Sequence, residues 1–241
     1  MQRGIGAAFL DSLDLERPRS ILDVGCGDGF LTEQLAQRSR VDVLGVDAAP
    51  AMIARAAQRS TGHLRFAEAD AATMAFDERF DLIVSLNTLH WVLDVDAAFA
   101  RLFAAQAPNS MLVCQLVGAT EVDSVEDVST YLTESADWRP YFGDGFQRPY
   151  VHPTAVELQR VAESSGYRRV KTATWDEVFT FGSAEHFGRW LAAGSRVWTD
   201  RLPQDRRELF VREVVERYAR VCGSTSDLHF GQLRLTAERA D

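Results

Sequence analysis

Short apolar runs alternate with longer segments of helical period through the first half of the chain. The runs SILDV, VDVLGV, LRFA, FDLIVS and SMLVCQLV are apolar at most positions and lack the alternation of a half-exposed strand. Strands that are covered on both faces have this composition, and such strands are usually parallel and joined by crossover helices. The pattern therefore predicts an α/β fold built on a doubly wound, mostly parallel sheet.

The same pattern gives bounds for the expected elements. Pro50 suits the first turn of a helix, and Gly166 is a stop signal at the end of another. The predicted strands are 20–24, 41–46, 64–67, 80–85, 110–117, 168–175 and 233–237. The predicted helices are 29–39, 50–59, 95–106, 125–135, 153–165, 184–194 and 204–221. We expect the last strand to close the sheet.

Two stretches depart from this order. Residues 118–150 are rich in acidic and aromatic residues and carry several glycines and prolines, which is typical of an irregular insertion. Residues 183–222 have a helical period in two pieces. Because no linker-like stretch divides the chain, we expect a single domain over residues 1–241, with these two insertions forming a small helical cap over the substrate.

Composition narrows the classes of function. Hydrophobic residues make up 46% of the chain and charged residues 25%, and no apolar run approaches the ~20 residues of a membrane span. A net charge of -9 without a concentrated basic face argues against nucleic acid or membrane as a partner. Three widely spaced cysteines offer no paired spacing for a metal, so we expect none. The N-terminus lacks a secretory pattern, and we expect a cytoplasmic protein.

Residues 21–30 read ILDVGCGDGF, a strand that ends in a glycine-rich turn and opens a helix. Missing side chains in such a turn let a ligand approach the backbone. The spacing is G-x-G-x-G, whereas dinucleotide sites have G-x-G-x-x-G. Asp23 and Asp28 bracket the turn, and two carboxylates suit the ammonium and sulfonium groups of S-adenosylmethionine better than they suit a pyrophosphate. The turn therefore favours a site for S-adenosylmethionine.

Two further aspartates stand at later strand ends. Asp47 ends the second apolar run, where a carboxylate can accept both ribose hydroxyls of an adenosine. An alternative role for Asp47 is to cap the helix that starts near Pro50. Asp70 follows the third run and is placed to meet the adenine amino group.

Together these motifs resemble the class I S-adenosylmethionine-dependent methyltransferases over residues 21–117. The resemblance implies a seven-stranded sheet with an antiparallel last hairpin and S-adenosylmethionine as the cofactor. The cofactor-binding residues that it implies are Asp23, Gly25, Cys26, Gly27, Asp47, Ala48, Asp70, Ala71, Leu86 and Asn87. Of these, Asp23, Gly25 and Gly27 would hold the methionine part together with Leu86 and Asn87, Asp47 the ribose, and Asp70 with Ala71 the adenine. We read Cys26 as a small packed residue and not as a nucleophile.

The segment NTLHWV after the fourth run resembles a smaller group that includes the trans-aconitate, juvenile hormone acid and malonyl-acyl-carrier-protein methyltransferases, which esterify carboxylic acids. It implies that His90 and Trp91 are catalytic and donate hydrogen bonds to the acceptor oxygen. A carboxylate is ionised at pH 7 and needs no general base, whereas a phenol or alcohol would make His90 the natural base. Either residue is alternatively a packed residue of the core.

Aromatic residues in the two insertions form a second candidate feature. Tyr150 and Trp190 are candidates for an aromatic-lined substrate pocket, although aromatic residues at this density also suit the core of a cap. Arg139 is a candidate anchor for a substrate carboxylate, with a surface charge as the alternative.

These observations favour a methyltransferase that acts on the carboxylate of a small acid. The nearest alternative keeps the cofactor and methylates a hydroxyl or amine of a specialised metabolite. A nucleotide-dependent oxidoreductase and a partner-binding module without turnover are the alternatives from other classes. We expect a small-molecule acceptor as the partner and leave a homodimer open.

Overall fold

The computed structural model describes residues 2–240, and the side chains of residues 4–240. In the first half of the chain the elements are α1 (Gln2–Asp11), β1 (Ser20–Val24), α2 (Phe30–Ser39), β2 (Asp42–Asp47), α3 (Pro50–Ala56), β3 (Leu64–Glu68), β4 (Phe80–Leu86), α4 (Val95–Ala105) and β5 (Gln106–Val117). The second half adds α5 (Val125–Thr133), α6 (Arg139–Phe142), α7 (Ala155–Ser164), β6 (Arg168–Thr180), α8 (Ala184–Gly194), α9 (Arg196–Thr199), α10 (Gln204–Cys222) and β7 (Asp227–Arg239). Two short 3₁₀ helices lie at Ala57–Arg59 and Leu89–Trp91.

All seven predicted strands and all seven predicted helices are present, and β1 and α8 have the predicted bounds. The predicted helix start at Gly29 is wrong by one residue, because Gly29 is the N-cap of α2 in a left-handed conformation with φ 78°. Strand β7 begins six residues before the predicted start at 233. Helix α1 was not predicted, since Gly4 and Gly6 weaken its helical signal, yet it buries Ile5, Phe9 and Leu10.

The seven strands form one mixed sheet in the order β3-β2-β1-β4-β5-β7-β6. The pairs β1–β2, β1–β4, β2–β3 and β4–β5 are parallel, whereas β5 and β7 are antiparallel from Ser110–Arg239 to Val117–Gln232. The expected seven-stranded α/β sheet is therefore confirmed, and its parallel part is limited to the first five strands. Strand β7 does not close the sheet, because it pairs with β5 and leaves β6 at the edge.

Two apolar clusters cover the two faces of the sheet. Ile21 packs with Phe9, Leu10 and Leu35 on one face, whereas its neighbour Leu22 belongs to a larger cluster with α4 and α7 on the other. Successive residues of a strand point to opposite faces, so a strand buried on both faces must be apolar throughout. This explains the unbroken apolar runs of the sequence. Among residues 2–240 we find no helix long and apolar enough to cross a membrane.

The chain divides into two compact units. The first comprises the chain up to Gly118, Tyr150–Trp175 and the residues from Gln232 onward, and it contains the parallel strands. The second comprises Ala119–Pro149 and Asp176–Gly231, so it includes nearly all of both predicted insertions. Within the second unit, α10 packs against α5 and α8.

Candidate active site

Three glycines give the turn after β1 its shape. Gly25, Gly27 and Gly29 have φ angles of 80°, 57° and 78°, a region that is costly for residues with a Cβ. The N–H groups of Gly25 and Cys26 both donate to the carbonyl oxygen of Val46, at 2.7 and 2.9 Å. These hydrogen bonds fix the turn to the end of β2.

Gly25 and Gly27 differ in what surrounds them. A Cβ on Gly25 would lie 2.0 Å from Oγ1 of Thr88, whose hydroxyl lies 3.2 Å from the carbonyl oxygens of both Gly25 and Leu86. A Cβ on Gly27 would meet no described atom within 4 Å. The backbone at Gly27 is therefore open to a ligand, while Gly25 is needed for close packing against Thr88.

Asp23 lies under this turn with only 3% of its surface exposed. The hydroxyl of Thr32 donates to its Oδ2 at 2.7 Å. Burial raises the pKa of Asp23 to about 6, opposed by the Thr32 hydrogen bond and reinforced by the charge of Asp47. Asp23 has no ion pair among the side chains of residues 4–240, and a buried carboxylate of this kind is stabilised by a cationic ligand, as the charged groups of S-adenosylmethionine would provide.

Asp47 ties the turn to the segment after β2. Its Oδ2 accepts the N–H of Gly27 and its Oδ1 accepts the N–H of Ala49, each at 2.9 Å. The alternative that Asp47 caps the next helix is wrong, because Ala49 holds the N-cap position of α3 and no described side chain caps it. Each carboxylate oxygen retains a second lone pair, so Asp47 can still accept a ligand hydroxyl. Ala48 beside it is exposed.

The segment after β3 turns back on itself at Asp70. Its Oδ1 accepts the N–H of Ala72 at 2.8 Å, and its carbonyl oxygen accepts from Thr73 and Met74. The Asp70 side chain is exposed, whereas Ala71 is buried.

The end of β4 carries an unused acceptor. Asn87 has a left-handed φ of 53°, and its N–H donates to the carbonyl oxygen of Gln115 at 2.7 Å. Its buried Oδ1 has no hydrogen-bond partner within the described part of the chain. A buried acceptor without a donor, the open backbone at Gly27 and the carboxylate of Asp23 fit the ammonium-bearing end of S-adenosylmethionine. Leu86, the last residue of β4, is half-buried.

His90 lies in the 3₁₀ helix that follows and is 3% exposed. Its Nδ1 accepts the N–H of Val117 at 3.5 Å, and its carbonyl oxygen accepts the N–H of Val151 at 2.7 Å. Burial lowers the pKa of His90 to about 3, with a smaller contribution from His152. The imidazole is therefore neutral near pH 7, and an Nδ1 that accepts a hydrogen bond places its proton on Nε2.

Four rings meet in the first unit at this point. The Trp91 ring packs edge-on against Tyr150 at 6.1 Å, and Tyr150 lies 4.6 Å from the His152 ring. His152 in turn lies 6.1 Å from His90. Trp91 is 37% exposed and Tyr150 is 1% exposed, so Trp91 faces outward from the group. Sequence reasoning missed His152, because it lies near His90 only in the folded chain, where ring contacts and the hydrogen bond of Val151 to His90 join two segments that are distant in sequence.

The remaining candidates lie in the second unit or within the glycine turn. Arg139 is exposed, donates to the carbonyl oxygen of Glu134 at 3.1 Å and lies 4.0 Å from Asp144. Trp190 packs against Phe181 at 5.6 Å and is half-buried. Cys26 is buried, and burial together with nearby carboxylates raises the pKa of its thiol far above the usual range. A thiol that stays protonated is a poor nucleophile.

Comparison with known proteins supports one family. Residues 21–109 match the family model of the methyltransferase domain. The chain is 31% identical to a trans-aconitate 2-methyltransferase of Methylobacterium radiotolerans over 215 residues, which cover 85% of this chain and 79% of the relative. It is 28% identical to the trans-aconitate 2-methyltransferase of Delftia acidovorans over 248 residues, covering 97% and 92%.

A solved structure shows the same fold. Phosphoethanolamine N-methyltransferase 2 of Haemonchus contortus, in complex with phosphomonomethylethanolamine and S-adenosylhomocysteine, aligns with a TM-score of 0.65 at 17% identity. The alignment covers 99% of this chain and 53% of that protein, so the chain spans about half of its length. With the family match, the relatives and the geometry of the glycine turn, the chain belongs to the class I S-adenosylmethionine-dependent methyltransferases.

Proposed function

We propose that this methyltransferase esterifies a carboxylate of a small organic acid. The observation that carries the proposal is the state of His90, which is buried, neutral and engaged through Nδ1 with the N–H of Val117. An imidazole with a pKa of about 3 is a poor base for removing a proton from a phenol or alcohol near pH 7. An ionised carboxylate has no proton to remove, so it matches this site.

The activities named for two relatives also support a carboxylate acceptor. Both relatives described above are trans-aconitate 2-methyltransferases, and trans-aconitate is a carboxylic acid. Methylation of a hydroxyl or an amine is the alternative within the family, and it would need a base that His90 does not provide.

The residues of the chain divide the work of the reaction. S-adenosylmethionine, when bound, supplies the methyl group. The glycine turn, Asp47 and Asp70 hold and orient the cofactor, and Asp23 balances its positive charge. His90, through Nε2–H, and Trp91, through its indole N–H, donate to the acceptor carboxylate and align it for in-line attack. A positioned pair of donors contributes through orientation and not through proton transfer.

The proposal extends to the substrate-binding residues. Tyr150 packs against Trp91 and would form a wall of the acceptor site. Arg139 and Trp190 stay proposals as substrate-binding residues. Alanine variants of both, assayed for a rise in KM with kcat unchanged, would test them.

The experiment is a turnover assay with acids, phenols and amines. We expect methyl transfer to trans-aconitate or a related small acid, with a product ester that alkali hydrolyses to methanol. His90→Gln should lower kcat by ~10- to 100-fold without changing the affinity for S-adenosylhomocysteine. His63→Gln is the matched control, because His63 is an exposed imidazole of the same unit.

The pH profile separates the two kinds of acceptor. If the acceptor is a carboxylate, the pH profile of kcat between pH 6 and 8 should have the same shape in the wild type and in His90→Gln. The reason is that His90 is neutral throughout this range. Turnover of a phenol or amine but of no acid would contradict the proposal. So would a rate that rises with a group of pKa 6 to 7 and loses this dependence in His90→Gln.

A further inference from the structure

A row of polar side chains crosses β5 and β7 on one face of the sheet. Nη2 of Arg234 donates to Oε1 of Gln115 at 2.9 Å, and Nε2 of Gln115 donates to Oε1 of Gln232 at 2.6 Å. Gln115 and Gln232 are 3% and 1% exposed. Nothing in the cofactor chemistry described above uses these three residues, which we call the Arg234 row.

The direction of every hydrogen bond in the row is fixed by Arg234. A guanidinium group has only donors, so the oxygen of Gln115 must face it and the nitrogen of Gln115 must face Gln232. The Gln232 oxygen is then used and its amide nitrogen ends the row. Both glutamine oxygens of the row therefore accept a hydrogen bond, whereas two donor nitrogens stay unused. Nε2 of Gln232 and Nε of Arg234 are both buried without a partner among the described residues.

Buried donors without acceptors are destabilising, and a charged donor is the most unfavourable case. No carboxylate forms an ion pair with Arg234 anywhere in residues 4–240, where side chains are described. Its guanidinium instead lies 5.3 Å from the centre of the Phe9 ring on α1. Surplus donors and an uncompensated positive charge match an anion, and a carboxylate is the planar anion that a guanidinium binds with two parallel bonds.

Sheet register places the row beside the candidate active site. Gln115 pairs with Leu86 on one side and with Arg234 on the other, so the three side chains share one face. The carbonyl oxygen of Gln115 accepts the N–H of Asn87. Gln232 pairs with Val117, whose N–H donates to His90. The row therefore ends at the carboxyl edge of β4 and β5, where ligands bind in such sheets.

We propose that the Arg234 row anchors a carboxylate of the acceptor other than the one that is methylated. The inference rests on the proposed esterification, since it assigns the row to that substrate. A guanidinium that donates to both oxygens of a carboxylate engages one lone pair on each and lowers their nucleophilicity, so the contact suits a positioning carboxylate better than the reacting one. Arg234 and Gln232 are then specificity-determining residues for acids with more than one carboxylate.

The test compares two acids in four proteins. Trans-aconitate carries several carboxylates and crotonate carries one. The proteins are the wild type, Arg234→Gln, Arg234→Lys and, as the charge-matched control, Arg169→Gln, because Arg169 is exposed on the first unit and pairs with Glu238. We expect Arg234→Gln to raise the KM for trans-aconitate by ~10- to 100-fold with kcat within about threefold, and Arg234→Lys to restore part of the loss.

Turnover of crotonate distinguishes an anchoring role of Arg234 from a purely structural one. Its kcat/KM should change less than about twofold in Arg234→Gln, because it has no second carboxylate to anchor. An equal loss on both acids, or no change on trans-aconitate, would overturn the proposal. If Arg234→Gln does not fold, as judged by thermal melting and S-adenosylhomocysteine binding, Gln232→Met takes its place with the same expected split between the acids.

Failure of the esterification and failure of the anchor can be told apart. If the wild type methylates neither acid, the proposed function fails, and the row is tested by calorimetry of trans-aconitate binding to the protein loaded with S-adenosylhomocysteine. Binding that Arg234→Gln weakens at least ~10-fold and Arg169→Gln leaves unchanged would support an anion site. Absence of binding to the wild type, or equal binding to all variants, would refute it.

Discussion

The two sides of the candidate active site are held together by different kinds of contact. On the cofactor side, the glycine turn and Asp47 are joined by backbone N–H groups that donate to Val46 and to the Asp47 carboxylate. On the acceptor side, ring packing joins His90, Trp91, Tyr150 and His152, beside the hydrogen bonds of His90 to Val117 and Val151. The first arrangement depends on main-chain conformation, and the second on side-chain shape.

This difference matches what each side must do. A backbone turn binds the same cofactor whatever the acceptor is, so its geometry can be rigid and local in sequence. Ring packing between residues far apart in the chain can be changed by single substitutions, which suits a site that varies with substrate. Variants on the cofactor side should therefore alter cofactor affinity and stability, whereas those on the acceptor side should alter turnover.

Gly25→Ala should have the largest effect. The added Cβ would lie 2.0 Å from Thr88 Oγ1 in a backbone with φ 80°. Thr88 has little room to move, since its hydroxyl lies 3.2 Å from the carbonyl oxygens of both Gly25 and Leu86 and donates its one proton between them. We expect the affinity for S-adenosylhomocysteine to fall at least ~100-fold and Tm to fall by ~5 °C or more, measured by calorimetry and thermal melting.

Variants of two other glycines separate the steric clash with Thr88 from the displacement of the ligand. In Gly27→Ala the new Cβ meets no described atom within 4 Å, so affinity should fall because the ligand is displaced, with a smaller loss of Tm than in Gly25→Ala. Gly62→Ala, at an exposed position where a Cβ also has open space, should leave both quantities unchanged. Cofactor affinity of Gly25→Ala within about threefold of the wild type would show that the cofactor side is not rigid.

Asp47→Ala should have the next largest effect. Removal of the carboxylate leaves the N–H groups of Gly27 and Ala49 without their acceptor and removes the proposed contact to the ribose. Hydrogen bonds to a charged group contribute ~1.5 to 3 kcal/mol, so affinity for S-adenosylmethionine should fall tenfold or more. Asp47→Asn should lose less, because its amide keeps one acceptor oxygen.

Asp14→Ala is the matched control for this variant. Asp14 also accepts a backbone N–H, from Glu16 at 3.2 Å, and pairs with Arg17 near the surface. Its replacement should leave cofactor affinity unchanged. An unchanged affinity in Asp47→Ala would remove Asp47 from the cofactor site.

The same contrast explains how much the sequence could predict. The strands were predictable because strands covered on both faces are apolar throughout, and the glycine turn because its spacing and flanking aspartates lie within ten residues. The start of the last strand was predicted six residues too late, and its place between β5 and β6 was not predicted from the apolar runs, since no local pattern shows which neighbour β7 pairs with. The helices α6 and α9 were not predicted, because four residues each are too short for a periodic signal.

The acceptor side was harder to predict because its contacts are distant in sequence. His152 is brought to the end of β4 by ring contacts and by the hydrogen bond of Val151 to His90, and the Arg234 row reaches the end of β5 through the pairing of β5 with β7. A lone histidine, two glutamines and an arginine carry no signal until the topology places them together. The depressed pKa of His90 likewise comes from burial, which its sequence context does not show.

The smallest expected effect is in the pH dependence of stability, where the two sides act with opposite sign. Between pH 6.5 and 3 the unfolded chain protonates His90 while the native protein does not, so His90 removes stability as the pH falls. Asp23 is protonated in the native protein below about pH 6 but in the unfolded chain only near 3.8, so it adds stability as the pH falls. Each slope approaches about 1.4 kcal/mol per pH unit, and in the wild type they largely cancel.

Single variants should separate the contributions of His90 and Asp23 to the pH dependence of the free energy of unfolding. Relative to the wild type, His90→Gln should become more stable as the pH falls from 6 to 4, because it lacks the group that the unfolded chain protonates. Asp23→Asn should become less stable over the same range. Urea unfolding at several pH values measures both, with His63→Gln as an exposed control. Slopes of the same sign in the two variants would contradict the assignment of a neutral imidazole to the acceptor side and of a buried carboxylate with a raised pKa to the cofactor side.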